Sequence, residues 1–289
     1  MPHHIELVLD AKAELGEGAI WDDARALLYW VDIVGCSAHV YDPASNSDRA
    51  IDIGELVGTV VPRASGGLML ALEHGFAHLE LPSGKLDRIC DPERGVSTNR
   101  FNDGKCDPAG RFWAGTMGKA GSGRLYCLFP DLTAKVMLEG VTTSNGIAWD
   151  LDAKTMYYID TPTQKVDAFD YDLDTGAISN RRTVVTVPGD MGHPDGMTVD
   201  AEGKLWVAHW DGWHVHRWDP KGGELMESIP VPAARATSCA FGGPDLDELY
   251  ITTARAGIDD SALGEQPHAG GLFRARPGVR GVEAFAFAG

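Results

Sequence analysis

Short apolar runs of about five residues, each with a bulky residue at its centre and each bounded by Asp, Gly or Asn, recur along the chain. They are Leu28-Tyr29-Trp30-Val31-Asp32, Leu68-Met69-Leu70-Ala71-Leu72, Arg111-Phe112-Trp113-Ala114-Gly115, Met156-Tyr157-Tyr158-Ile159-Asp160, Lys204-Leu205-Trp206-Val207-Ala208 and Glu248-Leu249-Tyr250-Ile251-Thr252. β-branched and aromatic enrichment, period-2 alternation and flanking turn residues predict strands, and no long stretch repeats apolar residues at helical spacing. A second set, including Ala38-His39-Val40-Tyr41-Asp42-Pro43 and His214-Val215-His216-Arg217-Trp218-Asp219-Pro220, predicts a following strand that ends in an Asp/Pro/Gly turn.

The centres Trp30, Leu70, Trp113, Tyr158, Trp206 and Tyr250 lie 40, 43, 45, 48 and 44 residues apart, the spacing of four-stranded propeller blades. The expectation is all-β: a six-bladed β-propeller of four-stranded blades that fills residues 1–289 as one domain. A ring must close. Ile5-Glu6-Leu7-Val8-Leu9 precedes the first repeat, while Leu272-Phe273-Arg274-Ala275 and Ala284-Phe285-Ala286-Phe287 follow the last. The N-terminal segment is therefore expected to pair with the C-terminal blade, which removes open sheet edges.

Composition narrows the function. A formal net charge of −17 argues against nucleic acid, whose backbone is recognised by a surplus of Lys and Arg. No window is apolar enough to cross a bilayer, and residues 1–10 lack the pattern of an export signal, so a cytoplasmic protein with no membrane partner is expected. Cys36, Cys90, Cys106, Cys127 and Cys239 are odd in number and scattered, as reduced thiols are.

Glu17-Gly18, Asp103-Gly104, Asn145-Gly146 and Asp195-Gly196 open the first, third, fourth and fifth repeats, an oxygen-bearing residue before glycine each time. Asp-Gly and Asn-Gly are ordinary turn dipeptides, but Glu is a poor turn residue, and four copies in register would converge on the propeller axis. Carboxylates with an amide are a donor set for a hard divalent cation.

The chain resembles the SMP-30/gluconolactonase/regucalcin family of six-bladed propellers. The resemblance is carried by Leu15-Gly16-Glu17-Gly18, Asn99-Arg100-Phe101-Asn102-Asp103-Gly104-Lys105, Trp113-Ala114-Gly115-Thr116-Met117, Ser144-Asn145-Gly146, Tyr158-Ile159-Asp160-Thr161, Pro194-Asp195-Gly196-Met197, Cys239-Ala240-Phe241-Gly242-Gly243 and Tyr250-Ile251-Thr252-Thr253-Ala254-Arg255. It implies one divalent metal (calcium, zinc, manganese or iron) on Glu17, Asn145 and Asp195, with Arg100 and Asn102 orienting a substrate. It also implies hydrolysis of a sugar lactone such as glucono- or xylonolactone by a monomer or weak homodimer. Asp195 is the expected general base, with Asp103 as the alternative. A calcium-binding regulatory propeller without major catalysis, or an esterase or organophosphate hydrolase, are the other readings.

One segment departs from the family pattern. Family members carry acidic residues after the Gly-Thr-Met motif, whereas Gly118-Lys119-Ala120-Gly121-Ser122-Gly123 is short, glycine-rich and cationic, and Lys119 is expected in solvent. Asp170-Tyr171-Asp172-Leu173-Asp174-Thr175-Gly176 imitates an EF-hand start, but its glycine is one place late and Arg181 stands where the closing Glu belongs, so a hairpin turn is expected. The pairs His74/His78 and His214/His216 lack a carboxylate cluster and are expected to pack or face solvent.

Overall fold

The computed structural model describes residues 4–289; residues 1–3, part of the expected domain, lie outside it. Six four-stranded antiparallel sheets follow one another along the chain as the blades of a six-bladed β-propeller. The strands of the first blade, Gly16–Asp22, Leu27–Asp32, Ser37–Asp42 and Ser47–Asp52, run from the axis outward. Burial follows that order, complete in Gly16–Asp22 and lost at most positions of Ser47–Asp52. The repeating apolar runs are the second strands, and all six of their central residues are at most 1% exposed. Each packs between neighbouring blades, where a buried side chain of that size contributes about 1.5–3 kcal/mol.

The ring closes as expected. Ile5–Leu9 pairs with Leu272–Ala275 and forms the outermost strand of the sixth blade, outside Leu272–Ala275, Glu248–Thr253 and Ala236–Gly242. The expected last strand over 284–287 does not form. Instead the segment after Ala275 runs beneath the propeller, bridging Gly281 to Asp200 and Phe287 to Arg63, with Phe287 fully buried. Pro277 and Gly278, at a left-handed φ of 82°, interrupt any ladder, and the alternating Ala/Phe pattern serves an anchor rather than a sheet edge.

The innermost strand of every blade carries a ladder irregularity at one level, between residues 17 and 20, 57 and 59, 101 and 104, 144 and 147, 194 and 197, and 236 and 238. Extra residues in a strand bend it and re-aim its side chains, here at the axis. Glycine beside these irregularities reflects contact between blades. A Cβ on Gly146 would lie 2.7 Å from the Asp195 carbonyl oxygen, and one on Gly58 would lie 2.5 Å from that of Asn102. The bulges of adjacent blades thus touch backbone to backbone.

The remaining sequence expectations resolve simply. Residues 172–177 form a turn between Lys165–Tyr171 and Ile178–Thr186, with Asp172 accepting from the Thr175 backbone N–H at 2.8 Å. All five cysteines are free, and Cys106, Cys127 and Cys239 are buried. His216 is buried and His74 exposed. Among the described residues no helix is long and apolar enough to cross a membrane.

Candidate metal centre and substrate cavity

The chain leads into two of the inner strands are fixed by carboxylates that end second strands. Asp32 accepts from the backbone N–H groups of Glu14 and Leu15, at 2.9 and 3.0 Å, just before Glu17. Asp160 accepts from those of Thr142 and Thr143, the latter at 2.8 Å, just before Asn145. The Asp that closes the Tyr-Trp-Val-Asp and Tyr-Tyr-Ile-Asp runs is therefore the clamp for the residue that reaches the axis.

Glu17, Asn145 and Asp195 are each 4% exposed and line one cavity of about 400 Å³ at the upper end of the axis, together with Arg100 and Asn102. Glu17 and Asp195 face each other within hydrogen-bonding reach. Burial, followed by the charge of Asp103, raises the Glu17 carboxyl above its usual range; burial, followed by the charge of Glu17, raises Asp195. The Asn145 amide nitrogen donates to Thr161 Oγ1 at 2.8 Å, and that hydroxyl donates onward to the Pro194 carbonyl at 2.9 Å. Because the Thr161 proton is committed, its oxygen must accept from Asn145, and the amide orientation is fixed. Asn145 Oδ1 is left buried without a hydrogen-bond partner.

Two facing buried carboxylates and an orphaned amide oxygen make an all-oxygen donor set that fits a divalent cation. Among the described residues no group of three or more His, Cys, Asp and Glu side chains is gathered to hold a metal, so any cation here would rest on two carboxylates and this amide.

Arg100 is half-buried in the cavity wall and donates to the Asn102 Oδ1 at 2.8 Å and to the Phe101 carbonyl at 2.9 Å. Asn102 Nδ2 donates to the Ser144 carbonyl at 2.8 Å, tying the third blade to the fourth beside Asn145. Burial pushes the Arg100 guanidinium down from its usual value, and the charges of Glu17, Glu73 and Asp195 oppose that shift.

Asp103 does not line this cavity. The ladder pairs Phe101, Ser144 and Pro194 just before their irregularities, so the residues that follow, Asn102, Asn145 and Asp195, share one place. Asn102 rather than Asp103 is thus the counterpart of the other two, which corrects the four-copy register expected from the glycines. Asp103 is buried, its Oδ1 accepting from the Gly104 N–H at 2.7 Å. Burial raises its carboxyl, and Lys105 opposes the rise.

The profile of the SMP-30/Gluconolactonase/LRE-like region matches residues 15–255. The chain belongs to this family. Chicken (Gallus gallus) regucalcin is 42% identical over 294 residues, covering 99% of this chain and 98% of its own. The provisionally named sugar lactone lactonase YvrE of Bacillus subtilis (strain 168) is 41% identical over 286 residues, covering 98% of each. The calcium-binding protein regucalcin of Agrobacterium tumefaciens superposes with a TM-score of 0.94 at 26% identity, over 99% of this chain and 98% of that one.

Other residues of this SMP-30-like cavity were not singled out by the sequence. Leu15, Met117, Pro162, His193 and Trp210 are among them, with Thr143 and Thr161. His193 precedes the Pro-Asp-Gly run and Trp210 ends the Trp206 strand, so only their adjacency to recognisable segments could have marked them. Lys119 is exposed as expected and lines a neighbouring cavity with Glu73 and Arg100.

Proposed function

We propose that the protein hydrolyses a sugar lactone to the open-chain acid with one divalent cation held by Glu17, Asn145 and Asp195. The orphaned Asn145 Oδ1 beside two facing carboxylates carries this reading, and the lactonase name of the Bacillus relative supports it. When bound, the cation would supply Lewis acidity toward the lactone carbonyl and help deprotonate water.

The chain's own groups do the rest. Arg100, held by Asn102, presents guanidinium donors to hydroxyl groups of the lactone ring, and the Asn102–Ser144 tie keeps that donor in place. An Asp195 carboxylate oxygen accepts the proton of the attacking water as its oxygen bonds to the carbonyl carbon. That proton then passes to the ring oxygen as the ester bond breaks. Asp195 takes this role over Asp103 because it faces the cavity and Asp103 does not. The Leu15, Met117 and Pro162 side chains keep water off the rest of the cavity.

The regucalcin names of several relatives favour a second reading, a calcium-binding propeller without major catalysis. One experiment separates the two. Metal-stripped protein is reloaded with calcium, zinc, manganese or iron singly and assayed for acid release from lactones, aryl esters and phosphotriesters. Lactone turnover well above the spontaneous rate supports the lactonase; metal binding with no turnover supports the second reading.

A further inference from the structure

Besides Glu17, Asn145, Asp195 and the Arg100/Asn102 pair, the cavity is lined by two residues of the fifth blade. There His193 and Trp210 are ladder partners, two residues before Asp195 and at the end of the adjacent strand. Both line the cavity, and His193 is exposed.

The tautomer of the neutral His193 ring follows from its neighbour. Gln164 Nε2 lies 2.8 Å from His193 Nδ1 and 3.3 Å from the Gly192 carbonyl oxygen. A carbonyl only accepts, so the Gln164 end facing it is the amide nitrogen, and that nitrogen donates to Nδ1 as well. Neutral His193 then carries its proton on Nε2. The described residues give that N–H no acceptor. Trp210 is held just as firmly: the Arg235 guanidinium sits 4.5 Å from its ring centroid and is itself fixed by the Asp211 carboxylate at 2.8 Å. Arg235 is not among the cavity residues and Trp210 is, so the indole lies between the guanidinium and the cavity.

A free N–H donor beside a fixed aromatic face suits a group that presents C–H bonds to the ring and ends in an oxygen acceptor. We propose that His193 and Trp210 select lactones by the exocyclic arm. The carbon atoms of the arm lie on Trp210, and its terminal hydroxyl accepts from His193 Nε2. This rests on the lactonase reading and makes a six-carbon aldonolactone, whose ring carries such an arm, the favoured class over a five-carbon lactone, whose arm is one carbon shorter in the five-membered ring and absent in the six-membered one.

The test compares gluconolactone with xylonolactone in the native protein, His193→Ala, His193→Gln and Trp210→Leu. His193→Ala should lower kcat/KM for the six-carbon lactone about tenfold more than for the five-carbon one, and His193→Gln, which keeps an N–H donor, should recover most of that difference. Trp210→Leu should weaken the same preference. Equal losses on both lactones, or no rescue by Gln, overturn the proposal. Calorimetric binding of gluconate and xylonate to the same metal-loaded proteins provides a second readout. If no lactone is turned over, the lactonase reading fails, yet a gluconate preference that disappears in His193→Ala still upholds the role of the pair; equal binding of the two acids, or binding of neither, overturns it.

Discussion

Lys105 of the third blade crosses the axial channel and donates from Nζ to the Met197 carbonyl oxygen of the fifth blade at 2.7 Å. It thereby holds the backbone two residues beyond Asp195. Burial lowers the Lys105 ammonium from its usual value, and the Asp103 charge opposes that. Lys105→Met removes the tie to the Met197 carbonyl and takes the opposing charge away from buried Asp103. Urea unfolding should show a loss of about 1–3 kcal/mol; an unchanged midpoint would mean that the contact contributes nothing.

The facing carboxylates predict opposite responses with and without metal. In metal-free protein near neutral pH, burial raises both the Glu17 and the Asp195 carboxyl, so Asp195→Asn removes an ionisable group that the fold disfavours in its charged form, and its melting temperature should match or exceed that of the native chain. Added cation should raise only the native value, by about 2.7 kcal/mol of stability at a hundredfold excess over Kd. A variant that is stabilised as strongly by metal would remove Asp195 from the ligand set.

Asn102 acts through Arg100 as well as directly. Asn102→Ala releases the guanidinium from its 2.8 Å partner, and KM for the lactone should rise about tenfold, or ~1.4 kcal/mol, with a smaller change in kcat. Steady-state kinetics decide this, and an unaltered KM would place the pair away from the substrate.

At the other end of the axis, Phe287 is fully buried against the second blade's core, and its backbone N–H donates to the Pro62 carbonyl at 2.8 Å. Phe287→Ala should cost about 3–5 kcal/mol in denaturant unfolding. A loss below 1 kcal/mol would show that the terminal segment is only loosely seated.

Acid should weaken the fifth blade. Burial depresses His209 to about 4 and His216 to about 3, against an ordinary 6.5. Above 6.5 both are neutral whether folded or unfolded. As the pH falls below that, the unfolded chain binds protons that the fold refuses, so stability declines from 6.5 down through about 4 and about 3. Urea midpoints between pH 7 and 4.5 should fall less steeply for His216→Gln than for the native protein. Parallel curves would rule out the imidazole.

The blades were legible because every second strand repeats one buried aromatic or leucine at blade spacing, and a period of two needs no tertiary information to be seen. The bulges were not. An inserted residue shifts spacing by one, so the glycine of Asp103-Gly104 aligned with the wrong neighbour. Asn102 stands eleven positions before Trp113, as Asp195 stands eleven before Trp206, whereas Glu17 and Asn145 stand thirteen before Trp30 and Tyr158, so a count anchored on the strand matches Asn102 to Asp195 alone. The repeated oxygen-residue–glycine dipeptide brought Glu17, Asn145 and Asp195 together with Asp103, and only the family resemblance separated the three from Asp103. His193 and Trp210 had no signature at all, because their role depends on a tautomer fixed by Gln164, about thirty residues upstream of His193. The 284–287 segment misled because alternating Ala and Phe describe a strand and a strap equally well.

The outermost strand of the last blade is the first strand of the chain. Arg274 reaches Glu6 across 268 positions of sequence, so the strand at residues 5–9 has nothing to pair with until Leu272–Ala275 has left the ribosome. During that interval the strand Ile5–Leu9 has not yet met its partner, and closing so long a loop makes folding slow. Loss of a few residues from the 5–9 segment should therefore reduce the yield of native protein made during synthesis more than it weakens protein already folded.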